Sequence, residues 1–319
     1  MIGFLIGAIR LGATFLLGST GEIITQKSGN LNLGIPGVMC IGAAFGCFSE
    51  SVYVTSLNGG EINPFLAVFI PIMCAFIASA LAGLLFSFMT VTLRANQNVT
   101  GLALTTFGVG LTNYVISQVK STSTFSVASK YFTTLIPFKY TENTQWLKLF
   151  LSYGPTVYLA IIIALVSAFL LKKTRIGLHL RSVGENPATA DAMGINVTAY
   201  RYGATCIGCG IAGLGGLFFI MDSLYGYWEY AIEAMGWLAV ALVIFAVWRP
   251  NVSIIGSFIF GALYIAPNHI KGVTFVQTGL LKMLPYVVTI VVLIITSIRN
   301  KKENYPPAGL GLNYYREER

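Results

Sequence analysis

The stretch Phe65–Thr92, FLAVFIPIMCAFIASALAGLLFSFMTVT, runs for 28 residues without a charge. At 1.5 Å per residue a helix of that length exceeds the roughly 30 Å hydrocarbon thickness of a bilayer, so the segment reads as a membrane span. Comparable apolar runs recur outward from it in both directions, from Ile2 to Ile298. Hydropathy places them near 2–24, 31–49, 65–92, 99–118, 155–171, 202–222, 236–248, 251–266 and 283–298, about nine spans within a range of eight to ten. Composition agrees: 55% of the 319 residues are hydrophobic and 10% charged, against about 25% charged in a soluble domain. A water-soluble globule is excluded. The longest polar stretch, Lys120 to Tyr153, is shorter than the roughly 40 residues below which a domain seldom folds unaided. The expectation is therefore all-α, one transmembrane domain over 1–319, with no separate catalytic unit. The first apolar run leads into Thr25-Gln26-Lys27 rather than a small-residue cleavage site, and reads as a retained span.

The net charge of +8 clusters in loops rather than on one solvated face, which argues against a nucleic-acid partner. Lys172, Lys173, Arg175, Arg181 and Arg201 crowd one connection, placing it on the cytoplasmic side by the positive-inside rule. Alternation then puts Lys27, Arg94, Arg249 and the tail with Arg299, Lys301 and Lys302 inside. The acid-bearing loops with Glu50, Glu61, Asp222, Glu229 and Glu233 face out. The 119–153 connection also falls outside despite Lys120, Lys130, Lys139 and Lys148; long loops obey the rule less strictly. Arg10, a third of the way into the first span, is expected to snorkel to the outer headgroups. Glu22 is expected to pair near the inner end with Lys27 or a neighbouring loop.

Interruptions carry the next signal. Gly34-Ile35-Pro36-Gly37 starts the second span, and the seventh, Gly236 to Trp248, is only about 20 Å long as a helix and cannot cross alone. Broken backbone at membrane depth is tolerated only where protein or a water-lined cavity satisfies it. Gly34 and Pro36 are therefore candidates for lining a solute path, with a local kink as the alternative. Gly208, Ala212 and Gly216 form a small-residue stripe suited to close helix approach. Gly208–Gly213 imitates a dinucleotide loop only superficially, since no strand precedes it. The five cysteines lie in apolar segments and suggest neither a disulfide framework nor a zinc site.

The sequence contains no Gly-x-x-x-x-Gly-Lys-Ser/Thr loop, and its mid-span regions are nearly free of ionisable relay residues. The chain must either conduct passively or receive energy through contact with another subunit. The 172–201 connection offers a docking surface for the second option. Within it Asn186 can cap a helix whose first residue is Pro187, with Asp191 inside and Gly194 ending it. This predicts a short helix over about 185–194. Ala188, Ala190, Ala192 and Met193 would give it a compact surface, with Arg181 and Glu185 at the rim.

This connection resembles the cytoplasmic coupling loop of permease subunits from ABC importers of the ribose, nucleoside and branched-chain amino-acid group. The resemblance rests on Gly184-Glu185-Asn186-Pro187 followed by alanine-rich sequence and Gly194-Ile195. Three more stretches are similar to that family: Gly21-Glu22-Ile23 with Ser28–Gly34, Asn98–Leu104 leading to Gly110-Leu111-Thr112, and Ala239–Leu242 with Trp248-Arg249-Pro250. An acidic residue common in the family is replaced here by Ile35-Pro36-Gly37. Length and the broken second span look most like the nucleoside permeases linked to basic membrane lipoproteins.

The resemblance implies a type II-like permease of the bacterial inner membrane that binds no cofactor itself, its ATP and magnesium being held by a separate ABC ATPase. It further implies a second permease subunit, with precedent favouring a paralogue over an identical copy, and an extracytoplasmic substrate-binding lipoprotein. Arg181, Gly184, Glu185, Asn186, Pro187, Asp191 and Gly194 would couple to the ATPase. Asn32, Asn98, Thr100 and Thr105 join Gly34 and Pro36 as candidate path residues. Tyr225, Trp228 and Glu229, beside Asp222 and Tyr227, would form an outer gate or docking rim, or simply anchor helix ends in the interface. A nucleoside or related sugar is the implied solute. A passive facilitator, a structural scaffold, and a permease for ribose-like sugars or branched-chain amino acids are the alternatives.

Overall fold

The computed structural model describes residues 2–57, 60–119, 123–133, 152–270, 275–299 and 305–315. Among them no strand occurs; the chain is a bundle of helices. In order these are α1 (Ile2–Lys27), α2 (Ile35–Ser56), α3 (Pro64–Ser87), α4 (Gln97–Ser117), α5 (Ser123–Thr133), α6 (Pro155–Lys173), α7 (Arg175–Glu185), α8 (Pro187–Ala192), α9 (Val197–Phe218), α10 (Ile232–Phe245), α11 (Pro250–Ile265), α12 (Phe275–Leu281) and α13 (Leu284–Arg299). Wider π turns extend α3 through Phe88–Thr92 and α9 through Phe219–Ser223.

Local chemistry sets the boundaries. Asn63, Asn96, Asn186 and Asn196 each accept a backbone N–H of the first turn of the helix that follows, satisfying donors a helix start leaves unpaired. Proline occupies the first turn of α2, α3, α6, α8 and α11, where its missing N–H costs nothing. Seven described stretches are long and apolar enough to cross a bilayer, and α10 and α11 are shorter apolar helices. Each of these nine overlaps one of the nine runs read from hydropathy, with the second shifted from 31–49 to Ile35–Ser56 and the last from 283–298 to Val276–Ile295. At about 21 Å, the 14 residues of α10 cannot span the membrane alone, as expected.

The distribution of residue types is that of a lipid-embedded bundle. Thr14, Ser19, Thr20 and Glu22 of α1 are fully buried, whereas Phe65, Phe69, Ile77, Leu81 and Leu85 of α3 face outward. With hydrocarbon on the outside there is no hydrophobic force to bring helices together, so close backbone approach must do it. At the centre α1 crosses α9: a Cβ on Gly21 would lie 2.2 Å from the Gly208 carbonyl oxygen, and one on Gly208 would lie 2.4 Å from that of Gly21. The small-residue stripe thus serves two neighbours: Gly208 and Ala212 meet α1, and Gly216 meets α2, where a Cβ would lie 2.0 Å from the Met39 carbonyl oxygen.

The ends of the bundle sort as the charge rule implies. Lys27, Lys172, Arg181 and Arg249 line one cavity of about 690 Å³, and Arg94 joins the same end through Asn313. At the opposite end α5 packs beneath the π turn of α9, with Arg10 and Tyr225 beside it. Most of the 119–153 connection, with Lys120, Lys139 and Lys148, falls outside the described residues, as do Lys301 and Lys302.

Three expectations are corrected. Glu50 is not in a loop: α2 runs on to Ser56, and Glu50 is fully buried within it. Asp222 is likewise buried, because the π turn carries α9 beyond it to Ser223. Arg10 does not snorkel, because α9 places the Asp222 carboxylate beside it, 3.9 Å from its Nε. For Glu22, of the two partners expected, the neighbouring loop and not Lys27 is the one found, together with Gln26. Its Oε1 accepts from Gln26 Nε2 at 2.6 Å and from the Asn32 N–H at 3.3 Å. Gln26 is one turn away on the same face, whereas a residue five positions on is rotated to another.

Gly208→Val should therefore force α1 and α9 apart and lower stability by about 1–3 kcal/mol or more, read as a reduced melting temperature in detergent. Gly203 has open space where a Cβ would go, so Gly203→Ala should leave the melting temperature unchanged or slightly raised. Equal losses in both variants would contradict the backbone-contact account.

Candidate coupling site and solute path

The cationic end carries a built knuckle. Thr174 accepts from the Gly177 N–H at 3.1 Å and starts α7. The α7 helix ends at Glu185; Asn186 then accepts from the Thr189 N–H at 3.0 Å and starts α8, with Pro187 first. Gly194 closes the turn with φ +81°, a conformation that L side chains rarely adopt. The helix expected over 185–194 is thus shorter, Pro187–Ala192, with Glu185 belonging to α7 and Asn186 serving as the cap. Ala190 does not face outward as expected; it is buried in a small cluster with Val183 and Val197. The exposed surface is instead Thr189, Ala192 and Met193, with Met193 78% exposed. Arg181 lines the 690 Å³ cavity, and Glu185 is exposed at the rim. Gly184 is pressed against the end of α1: a Cβ there would lie 2.3 Å from the Lys27 carbonyl oxygen. Only glycine permits that approach.

From Lys27 the chain leaves the helix and enters the protein as buried irregular backbone, residues 28–34, before α2 begins at Ile35. Its polar groups are met by side chains of three helices. The Leu31 N–H donates to Gln97 Oε1 at 2.7 Å, the Asn32 N–H to Glu22 Oε1, and Thr105 Oγ1 to the Leu33 carbonyl at 3.0 Å. Asn30 Nδ2 donates to Thr205 at 2.9 Å and Asn32 Nδ2 to Cys209 Sγ at 3.3 Å, while Asn32 Oδ1 accepts from the Gly34 N–H at 2.8 Å. Glu22 Oε2 and Asn30 Oδ1 are buried with no hydrogen-bond partner among the described residues. Gly236 at the start of α10 abuts Pro36, so a Cβ there would lie 2.4 Å from the Pro36 Cα.

Of the expected path residues, Asn32, Gly34, Pro36 and Thr105 come together at this break. Asn98 and Thr100 do not; they belong to the first turn of α4, where Asn96 accepts from the Asn98 N–H and Thr100 donates to the Asn96 carbonyl. Gln97, the first residue of α4, has a role that composition alone did not flag.

At the opposite end, a cavity of about 450 Å³ is lined by Cys40, Thr112, Asn113, Trp228, Tyr230 and Glu233, among others. Thr112 Oγ1 and Trp228 Nε1 are buried without a hydrogen-bond partner among the described residues. Trp228 packs on Phe125 and Tyr230 at ring separations of 6.5 and 6.1 Å. Glu229 and Tyr225 are exposed, outside this cavity; Tyr225 accepts from Arg10 Nη1 at 2.6 Å. Arg10 Nη2 also donates to the Thr133 and Ser152 carbonyls, and Thr156 donates to Asp222 Oδ2 at 2.7 Å.

A polytopic helical bundle whose α1–α2 connection is held by side chains of three helices, with a capped knuckle at its cationic end, suits a solute permease. Residues 4–296 match the family described as branched-chain amino acid transport system / permease component, and the chain belongs to it. A protein of Haloferax volcanii described as a candidate glucose ABC transporter permease is 31% identical, the match covering 99% of this chain and 98% of that protein. The nucleoside ABC transporter permease NupC of Lactococcus lactis is 30% identical, covering 86% of each chain. The guanosine ABC transporter permease NupQ of Bacillus subtilis is 30% identical, covering 88% of each. The protein is thus a permease subunit of an ABC importer and a multi-pass component of the bacterial inner membrane.

Removing one partner of a buried ion pair strands the other charge, at a cost of about 3–5 kcal/mol. Asp222→Ala should therefore lower the melting temperature sharply, and Asp222→Ala with Arg10→Leu should lose less than the two single losses combined. Additive losses would show that the pair is not coupled.

Proposed function

We propose that this chain is one membrane half of an ATP-driven nucleoside importer, energised by a separate ABC ATPase that seats on α8. The observation that carries the reading is the contact of Gly184 with the Lys27 carbonyl. It sets the base of the knuckle against the first residues of the broken segment. A displacement of α8 is then a displacement of residues 28–34, and so of the inner start of α2. Rigid packing transmits such shifts between two discrete arrangements rather than absorbing them. Arg181, Glu185, Asn186, Pro187, Asp191 and Gly194 form the knuckle and its rim, with Ala192 and Met193 the apolar contact. ATP and magnesium belong to the partner, and the permease binds no cofactor. The whole of 1–319 acts as one transmembrane unit beside a second permease, a paralogue rather than an identical copy.

The solute reading rests on the named relatives and on the outer cavity. Its roughly 450 Å³ falls in the range of small-molecule sites. The unpaired indole N–H of Trp228, the Thr112 hydroxyl, the Asn113 amide and the Glu233 carboxylate can bond ribose hydroxyls and base edges, with Trp228 and Tyr230 offering faces for stacking. An extracytoplasmic substrate-binding lipoprotein would deliver the solute there, with Tyr225 and Glu229 on the docking rim. The similarity to the Haloferax protein favours a sugar as the second reading, and the same hydroxyl-binding groups would serve it.

Reconstitution with the ATPase and the binding protein tests both parts. Labelled nucleoside should enter proteoliposomes only with ATP, and glucose should not compete. Glu185→Arg, which reverses a rim charge, and Gly194→Pro, which cannot adopt the φ of +81°, should reduce ATPase retention on the purified permease by about tenfold, while membrane insertion is unchanged. Uptake without ATP would establish the passive-facilitator alternative. Normal ATPase retention in both variants would remove α8 as the docking element.

A further inference from the structure

Residues 305–315, irregular and remote in sequence from the knuckle, are fixed across the cationic end by a series of directional contacts. The Ala308 N–H donates to Glu185 Oε2 at 3.2 Å and the Gly309 N–H to the Gly184 carbonyl at 2.9 Å. The Gly311 N–H donates to the Gly29 carbonyl at 3.0 Å, at a backbone φ of +78°. Arg201, itself 1% exposed, donates from Nη1 to the Leu312 carbonyl at 3.2 Å. Asn313 Nδ2 donates to the Arg94 carbonyl at 2.7 Å, and Asn313 Oδ1 accepts from Gln97 Nε2 at 3.4 Å. Tyr314 packs on the cluster of Val183, Ala190 and Val197 and donates its hydroxyl to Asp191 Oδ2 at 2.7 Å. The Arg94 guanidinium lies over the Tyr315 ring, 4.5 Å from its centre.

We infer that this C-terminal segment is a positioning strap, which holds the α8 knuckle in fixed register with the broken segment and the start of α4. The inference rests on the coupling role proposed for α8 and extends it. The strap touches α8 through Asp191, the end of α7 through Gly184 and Glu185, the break through Gly29, and α4 through Gln97. Gln97 is the same side chain that accepts the Leu31 N–H. Motion of α8 therefore has two routes to residues 28–34: directly through Gly184, and through Tyr314, Asn313 and Gln97. The second route reaches the far side of the break, where α4 lines it. With both routes fixed, the segment must move as a body; with the strap loose, α8 can rock against it without moving α4. Tyr314 and Asn313 are positioning residues in this account and touch no solute.

The test uses the full complex in proteoliposomes and reads ATP hydrolysed per solute transported, together with ATPase retention on the purified permease. Tyr314→Phe removes one hydroxyl and Asn313→Ala one amide, both small changes. Each should leave ATPase retention and hydrolysis near wild type while uptake falls, by about tenfold for Tyr314→Phe, which loses a hydrogen bond to a charged group, and by about fivefold for Asn313→Ala, whose partners are neutral. The ratio of ATP to solute should rise accordingly. Truncation after Tyr305 should show the same uncoupling more strongly. Unchanged uptake and ratio in the two point variants would overturn the strap. A loss of uptake in step with lost ATPase retention would also overturn it, because the segment would then serve assembly alone. Failure of the coupling reading itself is separate: it shows as normal ATPase retention in Glu185→Arg and Gly194→Pro.

Discussion

Chain that leaves helical form inside a lipid-embedded bundle must find protein partners for the backbone groups it exposes. In this chain residues 28–34, the irregular connection between α1 and α2, are placed so, and Gln97, Glu22, Thr105 and Asn32 supply the partners. Much of the architecture follows from it. The α1 helix must bring Glu22 to the break, α4 must begin beside Leu31, and α9 must come close enough for Thr205 and Cys209 to receive Asn30 and Asn32. The contact of Gly21 with Gly208 allows that last approach, since any side chain at either position would hold α1 and α9 apart.

The same break lies directly above the knuckle. Gly184 touches its first residues, and the C-terminal segment reaches both the knuckle and Gln97 on its other side. In the coupling proposed, there must be a place where a partner's motion becomes the permease's own. A short capped helix in backbone contact with irregular, buried chain is suited to that task, because a break can change its arrangement where a continuous helix would resist. The opposite end is built differently. There the Arg10–Asp222 pair, with Thr156, Thr133 and Ser152 around it, fixes α1 to α9 and α6.

The nine apolar helices were legible because bilayer thickness imposes a length that hydropathy records directly. The knuckle was legible for local reasons: Asn186, Pro187 and Gly194 each have one conformational use at a helix end. What escaped depends on partners distant in sequence. Nothing near Arg10 announces that Asp222, more than two hundred positions on, will meet it. The burial of Ala190 depends on Val183 and Val197 folding over it, and alanine on a two-turn helix carries no sign of which face is covered. Glu50 reads as a loop residue because a carboxylate near the end of an apolar run usually is one. The tail escaped for a further reason: its bonds are made largely by backbone N–H and carbonyl groups, which every sequence has. At the break, Asn32, Gly34, Pro36 and Thr105 could be named in advance, but Gln97, which joins break to tail, looks like any polar residue at a helix start.

The most direct test of the account is the side of the membrane on which α8 lies and what covers it there. Met193→Cys, at an exposed position beyond the last turn of α8, can be labelled with an impermeant maleimide in oriented vesicles. The account predicts labelling in inside-out but not right-side-out vesicles, and protection when the ATPase is bound. Labelling from the outer face, or equal labelling with and without the ATPase, would contradict it.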